Sequence, residues 1–309
     1  MDKKERFRGS LLGLAIGDAL GQPVEFMPIN SFLKIKDFQV NGTWNLPAGY
    51  WTDDTSMALC LADSLIRSKG MNAKDQMETY RHWLRDGYLR SEPDFEDIGL
   101  ATYNALSKYE TTGEVYCGNP DPEMAGNGSL MRLAPVPLVF SYDPKLAIEF
   151  AEESSLTTHA SPQCLQACRY MAGLICGVIS GTCREELIAS NRHSLDKYPH
   201  LHKDMATLLK TNFKALKLSE SHGGYVVESL KVALWGFANF DCFEDGLLAV
   251  VNLGGDTDTN GAIYGQLAGA YWGESGLPQH LLEGLYKKDM ISEYADKLFE
   301  LSIELATQK

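Results

Sequence analysis

A chain of 309 residues can hold one large domain or two ordinary ones, and 44% hydrophobic with 22% charged residues is ample material for a globular core. The net charge of −13 disfavours nucleic acid as a general partner and disfavours attraction to anionic membranes. Seven cysteines, with no C-x-x-C pair, indicate neither a zinc cluster nor a disulfide framework and point to a reducing compartment.

The N-terminus carries Lys3, Lys4, Arg6 and Arg8, but the apolar run behind them ends at Asp18 and is interrupted by Gly13, so it does not read as a signal peptide. No segment approaches the roughly 20 apolar residues of a membrane span. The expectation is a cytoplasmic protein, and a monomer. Residues 6–21 read as a helix with Phe7, Leu11, Leu14 and Ile16 among its apolar positions. Gly9, Gly13, Gly17 and Gly21 recur every fourth residue on one face. Each interior glycine costs a helix about 1 kcal/mol relative to alanine, so the register calls for close approach of another backbone. The same ladder returns at Gly261, Gly265, Gly269 and Gly273, and a shorter one at Gly173, Gly177 and Gly181. The central helices of a bundle should therefore touch along glycine faces. If the first and last of them run antiparallel, Glu25 just past one and Asp256 and Asp258 just before the other need not meet.

Pro23, Pro28, Asn41-Gly42, Pro47 and Gly49 mark residues 22–51 as a long loop, with a short apolar segment at Phe32 to Phe38. Helices fit 53–65, 72–90 and 94–109, and a second loop follows at 111–130. Ser161-Pro162 is a cap followed by a first-turn proline and launches a helix over 162–180. Helical patterning begins at Pro144 and continues over 184–217, 225–240, 243–252 and 279–306. Strand alternation is absent. The predicted fold is all-α: a single compact orthogonal helical bundle, one domain over 1–309, with long active-site loops.

Two acidic clusters stand out. Gly254-Gly255-Asp256-Thr257-Asp258-Thr259-Asn260-Gly261 packs two carboxylates and two hydroxyls into a glycine-flanked bend, and Thr52-Asp53-Asp54 repeats the chemistry some 200 residues earlier. Either alone reads as a helix N-cap. Together, and with Glu25 in a proline-bounded loop, they are the parts a binuclear oxygen-ligand metal site needs. An EF-hand is excluded, because its closing glutamate position is Leu267.

Taken in order, Leu14 to Gly21, Pro23-Val24-Glu25-Phe26, Trp51-Thr52-Asp53-Asp54-Thr55, Gly126-Asn127-Gly128-Ser129-Leu130-Met131-Arg132, Thr158-His159 and Gly254 to Thr259 resemble the motifs of the ADP-ribosylglycohydrolase family, over nearly the whole chain. The resemblance implies an all-helical domain with two divalent cations, Mg²⁺ or Mn²⁺. It also implies hydrolysis of the bond between ADP-ribose and an acceptor such as an arginine of an ADP-ribosylated protein. The implied metal ligands are Glu25, Thr52, Asp53, Asp54, Asp256, Asp258 and Thr259. Glu25 or Asp54 would act as base, and Asp97 would orient or protonate the departing group. Asp53, Gly126, Asn127, Gly128, Ser129, Leu130, Met131, His159 and Tyr225 are the implied substrate contacts, with the loop from Ala125 to Met131 holding the diphosphate and distal ribose. Two other readings follow from the same motifs: a non-catalytic ADP-ribose binder of this fold, and a metal-dependent hydrolase of another nucleotide-derived substrate.

Overall fold

The structure is a computed structural model and describes residues 1–40, 42–94, 97–190, 194–219 and 223–308. Among the described residues the backbone forms helices and two isolated bridges, with no strand. In chain order the α-helices are α1 (Lys3–Gly21), α2 (Asp53–Ser68), α3 (Ala73–Asp86), α4 (Leu100–Thr112), α5 (Pro135–Val139), α6 (Pro144–Leu156) and α7 (Pro162–Ile179). They continue as α8 (Arg184–Ser190), α9 (Lys203–Leu208), α10 (Val226–Asn239), α11 (Phe243–Val251), α12 (Thr257–Trp272), α13 (Gln279–Gly284) and α14 (Lys288–Thr307). No helix among the described residues is long and apolar enough to cross a membrane.

The pair α1 and α12 forms the centre: α1 is buried from Gly9 to Gly21 and α12 from Thr257 to Ala270. Their glycines face one another. A methyl group at Gly17 would stand 2.1 Å from the carbonyl oxygen of Gly261, and one at Gly265 would stand 2.0 Å from that of Gly13. No side chain fits between the backbones, which explains why both ladders tolerate the helix-weakening residue.

The pairing runs antiparallel: Gly9 lies against Gly269, Gly13 against Gly265, Gly17 against Gly261 and Gly21 against Thr257. This corrects the sequence argument. In an antiparallel pair the C-terminal end of one helix lies beside the N-terminal end of the other, so Glu25 and the Asp256–Asp258 segment are brought together by this packing. Thr257 seals the junction by donating from Oγ1 to the carbonyl of Gly21 at 2.7 Å.

Around this pair, α14 covers α1 through an edge-on contact of Phe7 with Phe299 and through Arg8, whose guanidinium forks onto Asp296. Helix α7 lies against α6, α10 and α12. The third glycine ladder does not repeat the first two. A methyl at Gly177 would meet the Leu187 side chain, and Gly181 takes a positive φ of 87° just past the end of α7. The stretch 184–217 is helical only in α8 and α9 among its described residues, and the tail breaks between α13 and α14, where Lys287 adopts φ +49°. Helix α4 begins at Leu100 rather than at 94, which leaves Asp97 in a loop and not in a helical first turn.

Candidate active site

The site is built where the central pair ends. Backbone bonds join the two loops there: Phe26 donates to the carbonyl of Gly255 at 2.7 Å, and Gly255 donates to that of Met27 at 3.0 Å. Gly254 and Gly255 both take φ +74°, and a methyl on Gly254 would stand 2.6 Å from the Met27 oxygen, so this turn admits only glycine at that position. Helix α2 arrives from a third direction and presents its first turn, with Thr52, Asp53 and Asp54 all buried.

One carboxylate without an assigned role in the sequence reading fixes that arrival. Asp18 lies fully buried in the last turns of α1. Its Oδ1 accepts from the backbone N–H and the hydroxyl of Thr52, both at 2.9 Å, and its Oδ2 accepts from those of Thr55 at 2.9 and 2.6 Å. Four donors on two oxygens satisfy the anion and clamp α2 to α1. The signal in the sequence was an aspartate inside an otherwise apolar, glycine-faced helix.

Around this clamp the carboxylates converge in two groups that share one residue. Oxygens of Asp18, Asp54 and Asp258 lie within 4.8 Å of one another, and so do oxygens of Glu25, Asp256 and Asp258. Thr52 Oγ1 stands 3.0 Å from Asp54 and 3.5 Å from Asp258. Asp258, in the first turn of α12, also accepts from the Thr259 N–H at 2.8 Å. Asp256 accepts from Asn127 Nδ2 at 2.8 Å and from the Gly224 N–H at 3.0 Å. Glu25 accepts from the indole N–H of Trp44, a second residue the sequence reading did not single out, because nothing periodic marks it in its loop.

The electrostatics are those of anions crowded without counter-charge. Among the described residues no lysine, arginine or histidine forms an ion pair with Glu25, Asp53, Asp54, Asp97, Asp256 or Asp258. Burial, then the charges of Asp97 and Asp256, pushes Glu25 up to about 8. Asp97 is raised to about 7 by burial and by Asp18 and Asp256. Asp53, Asp54 and Asp258 are raised well above the ordinary carboxylate range, first by burial and then by their acidic neighbours. Asp54 Oδ1 is buried with no hydrogen-bond partner. An orphaned carboxylate oxygen in a nest of hard oxygen donors fits a divalent cation and fits little else. Thr259 follows Asp258 in the first turn of α12, with its Oγ1 4.0 Å from Met131 Sδ.

The loop from Ala125 to Met131 abuts the acidic group through Asn127. Its backbone is bridged to the 224–226 segment: Asn127 donates to Gly224 at 3.0 Å and Val226 to Ala125 at 3.0 Å. His159 lies edge-on to the loop, and a methyl on Gly128 would come within 2.9 Å of its Cε1. The Tyr225 hydroxyl donates to Asp204 at 2.6 Å, which pins the half-buried ring beside Gly126. Ser129 keeps its hydroxyl in the core, against Ser155 at 2.8 Å, and Leu130 is fully buried, its carbonyl accepting from Gln266. Glu25, Thr52, Asp53, Asp54, Asp256, Asp258, Thr259 and Asn127 thus gather at one place. Asp97 joins them from its loop, facing Trp51, Asp53, Trp83 and Arg90.

Known proteins are similar to this chain over nearly its whole length. The ADP-ribosylglycohydrolase family matches residues 1–307. The ADP-ribosylarginine hydrolase Tri1 of Serratia proteamaculans is 34% identical over 304 residues, covering 97% of this chain and 80% of its own. The ADP-ribosyl-[dinitrogen reductase] glycohydrolase of Rhodospirillum rubrum is 31% identical over 292 residues, covering 92% and 91%. A solved structure described as an ADP-ribosylglycohydrolase-related protein complex superposes with a TM-score of 0.86 at 39% identity, covering 97% of this chain and 99% of that one. With the motifs, the all-α fold and these relatives in agreement, the chain belongs to the ADP-ribosylglycohydrolase family and is an enzyme of that class.

Proposed function

We propose that this enzyme removes ADP-ribose from arginine side chains of modified proteins, using two divalent cations, Mg²⁺ or Mn²⁺. The observation that carries the reading is the pair of carboxylate groups sharing Asp258, with Asp54 Oδ1 left without a partner. The arginine acceptor is supported by the relative named as an ADP-ribosylarginine hydrolase, 34% identical across 97% of the chain. In this reading residues 1–309 work as one domain, as a monomer in the cytoplasm.

The ligands would be Glu25, Thr52, Asp53, Asp54, Asp256, Asp258 and Thr259; Asp18 is spoken for by Thr52 and Thr55 and acts by orienting them. Cations bound there would supply a water of lowered pKa and fix the ribose hydroxyls. Breaking the C1–N bond needs a base for the water and an acid for the departing guanidine. Glu25 is the base we assign, because Asp54 is completely enclosed whereas Glu25 retains some exposure. The water proton passes to Glu25 as the new C1–O bond forms. The C1–N bond breaks, and Asp97, half-buried and raised to about 7, delivers the proton that lets guanidine leave as guanidinium. Asn127 and the Gly126–Gly128 backbone hold the diphosphate side, and Tyr225 offers its pinned ring to a base or ribose.

A hydrolysis panel over arginine-linked, serine-linked and nucleic-acid-linked ADP-ribose, with Mg²⁺ or Mn²⁺, tests this. Free ADP-ribose should appear from the arginine conjugate, and only when metal is present. Turnover in metal-free buffer, or release from serine alone, would refute the metal or the acceptor respectively.

A further inference from the structure

Arg132 is the most unusual charge in the molecule. It is fully enclosed, and among the described residues no carboxylate pairs with it and its Nε has no hydrogen-bond partner. Its guanidinium lies over the Tyr80 ring at 4.5 Å, approaches Met57 Sδ at 3.8 Å, and donates from Nη2 to Thr158 Oγ1 at 2.7 Å. A buried cation without a counter-ion is costly, and a cost of that kind asks for a compensating role. Thr158 Oγ1 lies 2.8 Å from Nδ1 of His159, and His159 faces the Gly126–Gly128 loop.

Hydrogen-bond polarity along this chain points to one state of the imidazole. Arginine can only donate, so Thr158 Oγ1 accepts from it. The threonine has one proton to give, and among the described residues His159 Nδ1 is the only acceptor within its reach. Where the threonine spends that proton on Nδ1, Nδ1 accepts and the proton of the neutral ring sits on Nε2. A methyl on Gly128 would lie 3.1 Å from Nε2, and one on Gly126 would lie 3.4 Å away, so the protonated nitrogen borders both glycines of the loop. Nε2 has no protein partner among the described residues.

We propose that Arg132 is a positioning residue that works through Thr158 to lock His159 as the Nε2–H tautomer, presenting one neutral donor to a ligand oxygen at the Gly126–Gly128 loop. Burial and the Arg132 charge hold the ring neutral, lowering His159 to about 3. The arrangement suits a phosphate or ribose oxygen, which accepts without needing to give a proton. A fixed tautomer spares the binding step the cost of selecting one. That this oxygen belongs to ADP-ribose rests on the proposed function; the tautomer itself does not.

The test separates the two. Long-range ¹H–¹⁵N correlation spectra of the histidine-labelled, ligand-free protein at pH 7 should show His159, identified by its loss in His159→Gln, with a pyridine-like Nδ1 and a pyrrole-like Nε2. A protonated Nδ1 overturns the proposal, whatever the enzyme hydrolyses. In Arg132→Met the two tautomers should mix, and KM should rise about tenfold more than kcat falls, equal to about 1.4 kcal/mol of lost binding. Arg132→Lys should restore much of both. An Arg132→Met protein with unchanged tautomer and unchanged KM also refutes it. Should Arg132→Met fail to fold, Thr158→Val removes the same link and is read the same way. If the spectra hold but no ADP-ribose conjugate is cleaved, the proposed function falls and the tautomer lock stands.

Discussion

On one side of the site Glu25, Asp53, Asp54, Asp256 and Asp258 crowd together with no basic side chain paired to them among the described residues, and Asp54 keeps an unpartnered oxygen. On the other side Asn127, Ser129, Thr158 and His159 hand their hydrogen bonds to one another, to Arg132 and to the core. The first side offers oxygens a cation would satisfy, and the second is assembled in advance. The halves meet at the bond from Asn127 to Asp256 and at the contact of Thr259 with Met131. The difference teaches a division of labour: the acidic half stores the electrostatic demand that chemistry will use, while the loop half stores geometry.

The largest effect should come from breaking the acidic half. Asp256→Ala, Asp53→Ala or removal of metal with a chelator should abolish turnover of an ADP-ribosylated arginine substrate. Asn127→Ala, which detaches the loop half from Asp256 and Ser229 and removes a proposed diphosphate contact, should cost about 10–100-fold, the range for residues that orient ligands. Steady-state kinetics on all four preparations make the comparison. An Asn127→Ala enzyme as dead as Asp256→Ala would mean that the two halves are not separable.

Asp18→Asn probes what the acidic half requires to stand. An amide offers one acceptor oxygen where the carboxylate offers two, so the donors of Thr52 or those of Thr55 lose their partner. We expect a fall of about 10–100-fold in activity at limiting metal, partly recovered at high metal, and a lower Tm. Activity insensitive to metal concentration would assign Asp18 a role in folding only.

Most of the acidic half was legible in the sequence, and the reasons are physical. Hydroxyl-plus-carboxylate clusters at helix starts are local features, and Thr52-Asp53-Asp54 and Asp256 to Thr259 announce themselves without knowledge of the fold. Two of the three glycine ladders likewise disclosed which helices touch, since only backbone contact explains Gly13 and Gly265. What stayed hidden was relational. The antiparallel sense of α1 and α12 decides that Glu25 meets Asp256, and no residue pattern encodes that sense. Asp18 was visible as an aspartate in an apolar helix, but its partners lie more than thirty residues away. The Ser129 hydroxyl looked like a phosphate donor because its sequence neighbours are glycines; in space its neighbour is Ser155.

The stored demand should show in pH dependence. Glu25 and Asp97, raised to about 8 and about 7, bind protons in the folded state that they would release in the unfolded chain, where carboxylates titrate near about 4. Between those values the folded protein holds more protons, so stability without metal falls as pH rises through the window. Calorimetry in chelator should give a Tm that declines by several degrees from pH 5 to pH 8, with Mn²⁺ or Mg²⁺ restoring most at pH 8. A metal-free Tm that climbs over this range would contradict the crowding of unpaired acids.

The smallest effect isolates Trp44. Its indole N–H donates to Glu25, and that bond favours the ionised carboxylate, opposing burial and the neighbouring charges. Trp44→Phe keeps a ring beside Phe26, which Trp44 meets edge-on at 6.4 Å, and removes the donor alone. A hydrogen bond of this kind is worth about 1 kcal/mol, so kcat should fall about fivefold. The sign of the accompanying shift is the sharper readout. With the donor gone the ionised form of Glu25 is less favoured, so the acid limb of the kcat profile should move to higher pH, since the base must be ionised to take the water proton. A fivefold loss with an unmoved acid limb would show that Trp44 shapes the loop but does not set the state of Glu25. The base would then have to be sought in the enclosed Asp54.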